Sequence, residues 1–238
     1  MTRRRWIADA WTSTTATLTG EQAAHLARVL RATPGQMYDI VAGGFLYRGE
    51  IIRVEPAEVV FALHEELESD TALPLHLLLA VFKFDHMEWA IEKATELGVE
   101  RITPVLARRT EKHLSQAAVK RAERWRRIAL ESSKQSRRTT IPTISEPSPL
   151  KPLLESTKES VRILLSETEQ NTSIASILST STVAGTYALA IGPEGGWTAE
   201  EMELFSAHQW QPVTLGPRIL RAETAAISAI AILSSNLA

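Results

Sequence analysis

The stretch that most restricts how this chain can fold is AIGPEGGWTAEE, Ala190 to Glu201, together with its near echo VTLGPRILRAETAA, Val213 to Ala226. Each runs from a short apolar, β-prone segment into a Gly-Pro turn and then opens a helix. In the first, Gly192, Gly195 and Gly196 bracket Pro193 and Glu194, so the backbone can take φ > 0 and approach a ligand with no Cβ in the way. Three of the chain's eleven glycines fall within five residues here, which concentrates backbone freedom at one point. Thr198 with Glu201 three residues on forms a capping-box pattern and fixes where the following helix starts. No Gly-Lys-Ser/Thr follows the glycines and no G-x-G-x-x-G occurs, so neither a Walker A loop nor a Rossmann fingerprint is present. A nucleotide-like ligand would have to be held by another arrangement.

The absence of cysteine removes disulfides, thiolate metal sites and cysteine nucleophiles, and it suits a reducing, cytoplasmic setting. MTRRRW leads into polar residues rather than an apolar h-region, so it does not read as a secretory signal. The apolar runs Leu77 to Phe82 and Ala229 to Leu233 are too short to span a bilayer, and no membrane partner is expected. The six histidines show no metal-ligand spacing, so no metal is expected either. A net charge of −2 hides a segregation: between Arg101 and Arg138 twelve Lys or Arg face three Glu, and Arg3, Arg4 and Arg5 open the chain. Local basicity of this kind points to a polyanion surface, with a merely solvated helix face as the alternative. Candidate RNA contacts are Arg3, Arg4, Arg5, Arg28, Arg31, Arg124 and Arg138.

Residues 1–70 read as short strands around one helix, with ESDTALP as a linker to a second domain over 74–238. QMYDIVA and FLYRGEIIRV flank Gly43-Gly44, a two-residue hairpin signal, and EVVFALHEEL supplies another strand. TGEQAAHLARVLRA places Leu26, Val29 and Leu30 on one helical face, with Thr19 as its N-cap. From Leu75 strands alternate with helices, the grammar of an α/β domain with a mainly parallel sheet. LHLLLAVF is a buried strand; Asp85 with Glu88 suggests a capped helix from His86 to Leu97, closed by Gly98. A long helix from Ser115 to about Ser136 carries Ala122, Trp125, Ile128 and Ala129 inward. The final helix, with Ala225, Ala226, Ile227, Ala229 and Ile230 through Leu233, leaves almost no polar face and should be buried nearly all round.

Taken together, KFDHMEWAIEKATELGVERITPV, RWRRIALESSKQSRR, AIGPEGGWTAEE and LGPRILRAETA resemble the RsmE family. These are bacterial methyltransferases of the SPOUT (trefoil-knot) superfamily, which methylate N3 of one uridine in small-subunit (16S) ribosomal RNA. The likeness extends to TGEQAAHLARVLR, similar to the family's N-terminal PUA-like β-barrel. Phe84 stands where the family usually has glycine, His86 where it usually has a basic residue, and Lys134 with Arg137 replace commoner residues of an EQS-x-R pattern. The resemblance implies a trefoil-knotted C-terminal domain and a homodimer packed in part through the last helix. It also implies S-adenosylmethionine held by Leu165, Ser166 and Glu167, by Ile191, Gly192, Pro193, Gly195 and Gly196, and by Leu215, Gly216, Ile219 and Leu220.

Methyl transfer from a sulfonium is an in-line displacement, so positioning of the nucleophile supplies much of the catalysis. A uridine N3 must also lose its proton, which asks for a general base or for a cation that stabilises the developing anion. Arg221 is the candidate for the cation and Glu194 for a base or an orienting group. Glu223 is either catalytic or a cap of the final helix. The competing readings are a knotted methyltransferase acting on another position, such as a ribose 2′-hydroxyl or another base, and a non-catalytic RNA-binding assembly factor, for which the basic segments alone would suffice.

Overall fold

The computed structural model describes residues 5–69, 72–180 and 185–237. It divides into two units, one of residues 1–71 with 133–140, the other of residues 72–132 with 141–238.

The first unit contains strands β1 (Arg5–Ile7), β2 (Ala10–Trp11) and β3 (Thr15–Thr19), helix α1 (Gly20–Ala24), and strands β4 (Met37–Ala42), β5 (Phe45–Glu55) and β6 (Glu58–Leu67). They form one sheet in the order β1-β4-β5-β6-β3-β2, antiparallel except where β1 meets β4. Gly43 and Gly44 have φ of 60° and 89°, the doubly positive pair that a two-residue hairpin between right-twisted strands requires. Leu18, Leu26, Ile40, Ile51 and Phe61 form the buried centre.

The helix expected after Thr19 takes a different course. After α1 the chain widens into a π-helical turn over His25–Val29, with Leu30 N–H donating to the His25 carbonyl five residues back at 3.0 Å. That widening changes the angular step per residue, so the expected apolar face separates: Leu26 is buried, while Val29 and Leu30 are 65% and 41% exposed. Thr19 occupies the N-cap position, but its hydroxyl and its backbone N–H both go to the Asp9 carboxylate.

The second unit contains β7 (Leu73–Ala80), α2 (Phe84–Glu96), β8 (Val99–Leu106), α3 (Lys112–Ser136), β9 (Thr143–Ile144), β10 (Ser148–Pro149) and α4 (Leu150–Ser156). The end of α3 groups with the first unit. There follow β11 (Val161–Leu165), α5 (Ile174–Thr180), β12 (Tyr187–Ile191), α6 (Ala199–Ala207), β13 (Gln211–Val213) and α7 (Ala222–Leu237). The sheet order is β10-β8-β7-β12-β11-β13, with β9 beside β8 and every pairing parallel.

Both faces of this sheet are covered, which explains why its strands read as unbroken apolar runs. On β7, Leu75, Leu77 and Leu79 join a core with Ile91 of α2, Trp125 of α3 and Ala226 and Ile230 of α7. Leu78 joins the opposite core, with Ala188 and Ala190 of β12, Leu154 of α4 and Phe205 of α6.

One expectation in this unit needs correction. Helix α2 begins at Phe84 after Lys83, and no side-chain cap is made. Glu88 is drawn away from a capping role by charge: it takes a bidentate pair of hydrogen bonds from Arg124 at 2.6 and 2.8 Å and a further one from Arg121 at 3.3 Å. Helix α7 is buried on one side only within this chain, through Ala222, Glu223, Ala225, Ala226, Ala229, Ile230 and Leu233. Ala231 on its other side is exposed and Ile227 and Ile232 are half-buried. Among the described residues no helix is long and apolar enough to cross a membrane.

Candidate active site

Strands β7, β12, β11 and β13 are neighbours in the sheet, and the chain leaves each at the same edge. The segments that follow them converge: Lys83 and His86 after β7, 165–170 after β11, 191–197 after β12 and 214–222 after β13. Parallel sheets bind ligands beyond the carboxyl ends of their strands, where the direction of winding reverses. Here β7 leads outward to β8 on one side and is joined by β12 on the other, and the four segments enclose a cavity of about 1000 Å³.

The GPEGG loop is held by short-range chemistry first. Gly196 N–H donates to the Pro193 carbonyl at 2.8 Å, closing a turn in which Gly196 has φ of 70°. A Cβ on Gly196 would lie 3.1 Å from Glu167 Oε1, and one on Gly192 would lie 3.1 Å from Trp197 Nε1, so a side chain at either position would press on its neighbour. The capping box is formed in both directions: Glu201 N–H donates to Thr198 Oγ1 at 3.3 Å, and Thr198 N–H donates to Glu201 Oε2 at 2.8 Å. The loop after β8 then braces it. Arg108 N–H donates to Glu201 Oε1 at 2.8 Å, and Arg109 Nη1 donates to the Gly195 carbonyl at 2.6 Å. Trp197 packs edge-on against Phe205, which packs edge-on against Trp210.

The echo loop is built differently. Gly216 has φ of 110° and donates its N–H to Thr214 Oγ1 at 3.1 Å. Ser166 N–H donates to the Val213 carbonyl at 3.0 Å, which ties the end of β11 to the end of β13. Beyond it Glu169 accepts the N–H groups of Asn171 and Thr172; these hydrogen bonds hold its carboxyl below the usual range. Ile219 is 84% exposed on the cavity wall.

Leu165, Ser166, Glu167, Ile191, Gly192, Pro193, Gly196, Leu215, Gly216, Ile219 and Leu220 all line this one cavity. Gly195 is not part of the lining; its carbonyl is engaged by Arg109. Arg221 and Glu194 also line it, and Lys83 Nζ lies 3.9 Å from Glu194 Oε2. Lys83, His86, Trp197 and Met202 are among further lining residues that the sequence does not single out for this site. The signal for Lys83 and His86 was their place just after a buried strand, where such sheets put ligand contacts. Glu223 is buried in the first turn of α7, with Oε1 3.2 Å from His86 Nδ1.

The basic candidates are scattered. Arg3 and Arg4 lie outside the described residues. Arg5 Nη1 donates to the Arg137 carbonyl at 2.7 Å, and Arg28 and Arg31 are exposed in the first unit. Arg124 is engaged by Glu88, and Arg138 Nη2 donates to Thr140 Oγ1 at 3.5 Å. Among the described residues no three His, Asp or Glu are grouped to hold a metal ion.

Residues 69–234 match the family model described as an RNA methyltransferase domain. The chain is 33% identical over 230 residues to the ribosomal RNA small subunit methyltransferase E of a Synechocystis species, covering 94% of this chain and 74% of that protein. To the Bacillus subtilis protein of the same name it is 30% identical over 229 residues, covering 92% and 90%. Among solved structures, the Neisseria gonorrhoeae ribosomal RNA small subunit methyltransferase E bound to S-adenosyl methionine superposes with a TM-score of 0.83 at 28% identity, covering 98% of this chain and 97% of that one.

Proposed function

The chain belongs to the RNA methyltransferase family that contains the ribosomal RNA small subunit methyltransferase E proteins, and from that premise we propose how its cavity acts. It is an S-adenosylmethionine-dependent ribosomal RNA methyltransferase, and the position it methylates is N3 of one uridine in 16S ribosomal RNA. The observation that carries this reading is the convergence of both Gly-Pro loops and the end of β11 on a single cavity.

The residues present fit the methyl donor. The cavity is large enough for a nucleoside with an amino-acid tail, and its wall at Gly192 and Gly196 is backbone, so a flat base can lie against it. Trp197 lines the cavity, and its indole N–H is buried with no protein partner. Leu165 to Glu167, Ile191 to Pro193 with Gly195 and Gly196, and Leu215, Gly216, Ile219 and Leu220 are the residues we assign to it. When bound, the sulfonium supplies an electrophilic methyl carbon. Arg221 brings a permanent positive charge to the same wall, where negative charge develops as N3 loses its proton. Glu194, beside Lys83 at the rim, orients the incoming nucleotide.

The proposal extends to architecture. The entry of β12 between β7 and β11, with α7 returning to pack on β7 and β12, supports the trefoil knot of this family. The six-stranded sheet of the first unit supports a PUA-like barrel that binds RNA through Arg5, Arg28 and Arg31, with Arg3 and Arg4 ahead of them. We assign Arg124 and Arg138 as further RNA contacts. The partly exposed apolar side of α7 supports a homodimer, and the substrate places the protein in the cytoplasm.

Incubation with S-adenosylmethionine and undermethylated small subunits, followed by digestion to nucleosides, is expected to release 3-methyluridine. Its absence, or methylation of a ribose or another base, overturns the assignment. Arg221→Ala should abolish turnover with the fold intact; retained turnover moves the role elsewhere. A binding factor without catalysis would show no heat with S-adenosylmethionine in a calorimeter.

A further inference from the structure

Of the ionisable groups on the cavity wall, His86 is the one tied to a buried carboxylate of another element. It sits in the first turn of α2, with Nδ1 3.2 Å from Oε1 of Glu223 in the first turn of α7. Glu223 is 3% exposed, and its second oxygen, Oε2, has no hydrogen-bond partner in the chain. A buried carboxylate is costly unless a positive charge accompanies it. The two ends of the imidazole differ. Nδ1 is buried 3.2 Å from Glu223 Oε1, an ion-pair contact not aligned as a hydrogen bond, whereas the ring as a whole is 30% exposed and lines the cavity. Nε2 is the ring nitrogen not set against Glu223, and Asp85 Oδ2 of its own helix lies 3.8 Å from it.

We propose that His86 is a catalytic residue: Glu223 holds the ring through Nδ1, and Nε2–H donates to a uracil carbonyl oxygen beside N3, sharing the developing negative charge with Arg221. In the step itself the N3–H bond breaks and its proton passes to solvent water. The electron pair left on N3 forms the new bond to the methyl carbon, and the pair of the broken carbon–sulfur bond stays on sulfur. Negative charge spreads from N3 onto both flanking carbonyl oxygens, so a donor there acts on the transition state more than on bound uridine. Arg221 lies in the loop ahead of α7 and His86 in the first turn of α2, so a guanidinium and an imidazole line the cavity from two elements. Glu223 is a positioning residue, acting only through His86. The inference rests on the uridine-N3 reading given above.

The test uses the full chain, S-adenosylmethionine and reconstituted small subunits, with three variants. His86→Gln is expected to lower kcat roughly 100- to 1000-fold, the range expected for loss of one preorganised donor, with S-adenosylmethionine affinity by calorimetry within about twofold of the unaltered protein. His86→Lys, which supplies an N–H donor at the same position, should recover most of the loss. Glu223→Gln should lower kcat with little change in KM.

Small subunits carrying 5-fluorouridine separate a chemical defect from a structural one. The electron-withdrawing fluorine stabilises the N3 anion, so the deficit of His86→Gln should shrink on that substrate. Wild-type kcat in His86→Gln, an equal deficit on both substrates, or a loss confined to S-adenosylmethionine binding overturns the proposal. Failure of the unaltered protein to form 3-methyluridine removes the underlying reading and this role with it. Methylation at N3 with an unaffected His86→Gln variant removes this role alone.

Discussion

Glu201 accepts the backbone N–H of Arg108 at 2.8 Å, although 93 positions separate the two. The same buried carboxylate closes the capping box with Thr198, so one side chain fixes the start of α6 and the loop after β8 together. Arg109 of the second loop also donates to the Gly195 carbonyl, which joins it to the glycine loop that lines the cavity.

Removing that carboxylate leaves the N–H groups of Arg108 and Thr198 without partners. Glu201→Ala should therefore cost roughly 2–4 kcal/mol of stability, which for a chain of this size lowers Tm by roughly 5–10 °C. Glu200→Ala, at a side chain 78% exposed, should shift Tm by less than about 2 °C. Calorimetric melting of both variants checks the contrast.

Arg109 braces the glycine loop through a single charge-assisted hydrogen bond to the Gly195 carbonyl. Losing it should loosen the loop without unfolding the domain. Arg109→Ala is expected to weaken S-adenosylmethionine binding by roughly 3- to 10-fold, about 1 kcal/mol, with Tm almost unchanged. Isothermal titration measures the first quantity and thermal melting the second.

Gly196 has φ of 70° and a neighbouring carboxylate oxygen 3.1 Å from where a Cβ would stand. Gly196→Ala should cost roughly 1–2 kcal/mol in left-handed strain alone, displace Glu167, and reduce cofactor affinity more than Arg109→Ala does. Gly44→Ala is the control: φ is also positive there, at 89°, but a Cβ would meet nothing within 4 Å. That variant should lose stability and keep its affinity for S-adenosylmethionine.

Glu159 predicts an acid dependence unrelated to the cavity. Burial pushes its carboxyl up, but the hydrogen bond to His76, the backbone N–H it accepts and the charges of His76 and Arg101 outweigh burial and hold it at about 2. His76 lies between Glu159 at 3.0 Å and Thr103 at 2.8 Å, all three buried. A depressed folded-state value means that the stabilisation is fully present above the unfolded carboxyl value and is lost as pH falls through the folded one. Unfolding free energy should thus drop between about pH 4.5 and 2, by on the order of 3 kcal/mol from this group. Glu159→Gln should flatten that part of the curve in urea titrations at successive pH values.

Local chemistry made much of this legible in the sequence. The Gly43-Gly44 hairpin needs only two residues tolerant of positive φ, and the Thr198–Glu201 box needs only groups three positions apart. The buried strands of the second unit follow from apolar runs such as LHLLLAVF. Expectations failed where a distant partner competed. Glu88 was read as a cap from its spacing to Asp85, but two guanidinium groups from α3 bind it more strongly than one backbone N–H can. Val29 and Leu30 were placed inward by a 3.6-residue period that the π-helical turn abolishes.

The two Gly-Pro loops, their capping residues and their place after apolar strands were set by sequence alone, because turn geometry and helix initiation depend on neighbours a few bonds apart. Tertiary structure decided what those loops enclose. Only the order β7-β12-β11-β13 brings Lys83, Glu194 and Arg221 to one cavity, and only the packing of α2 beside α7 sets His86 against Glu223. Contacts between residues more than a hundred positions apart depend on strand order and helix packing, which no local pattern records.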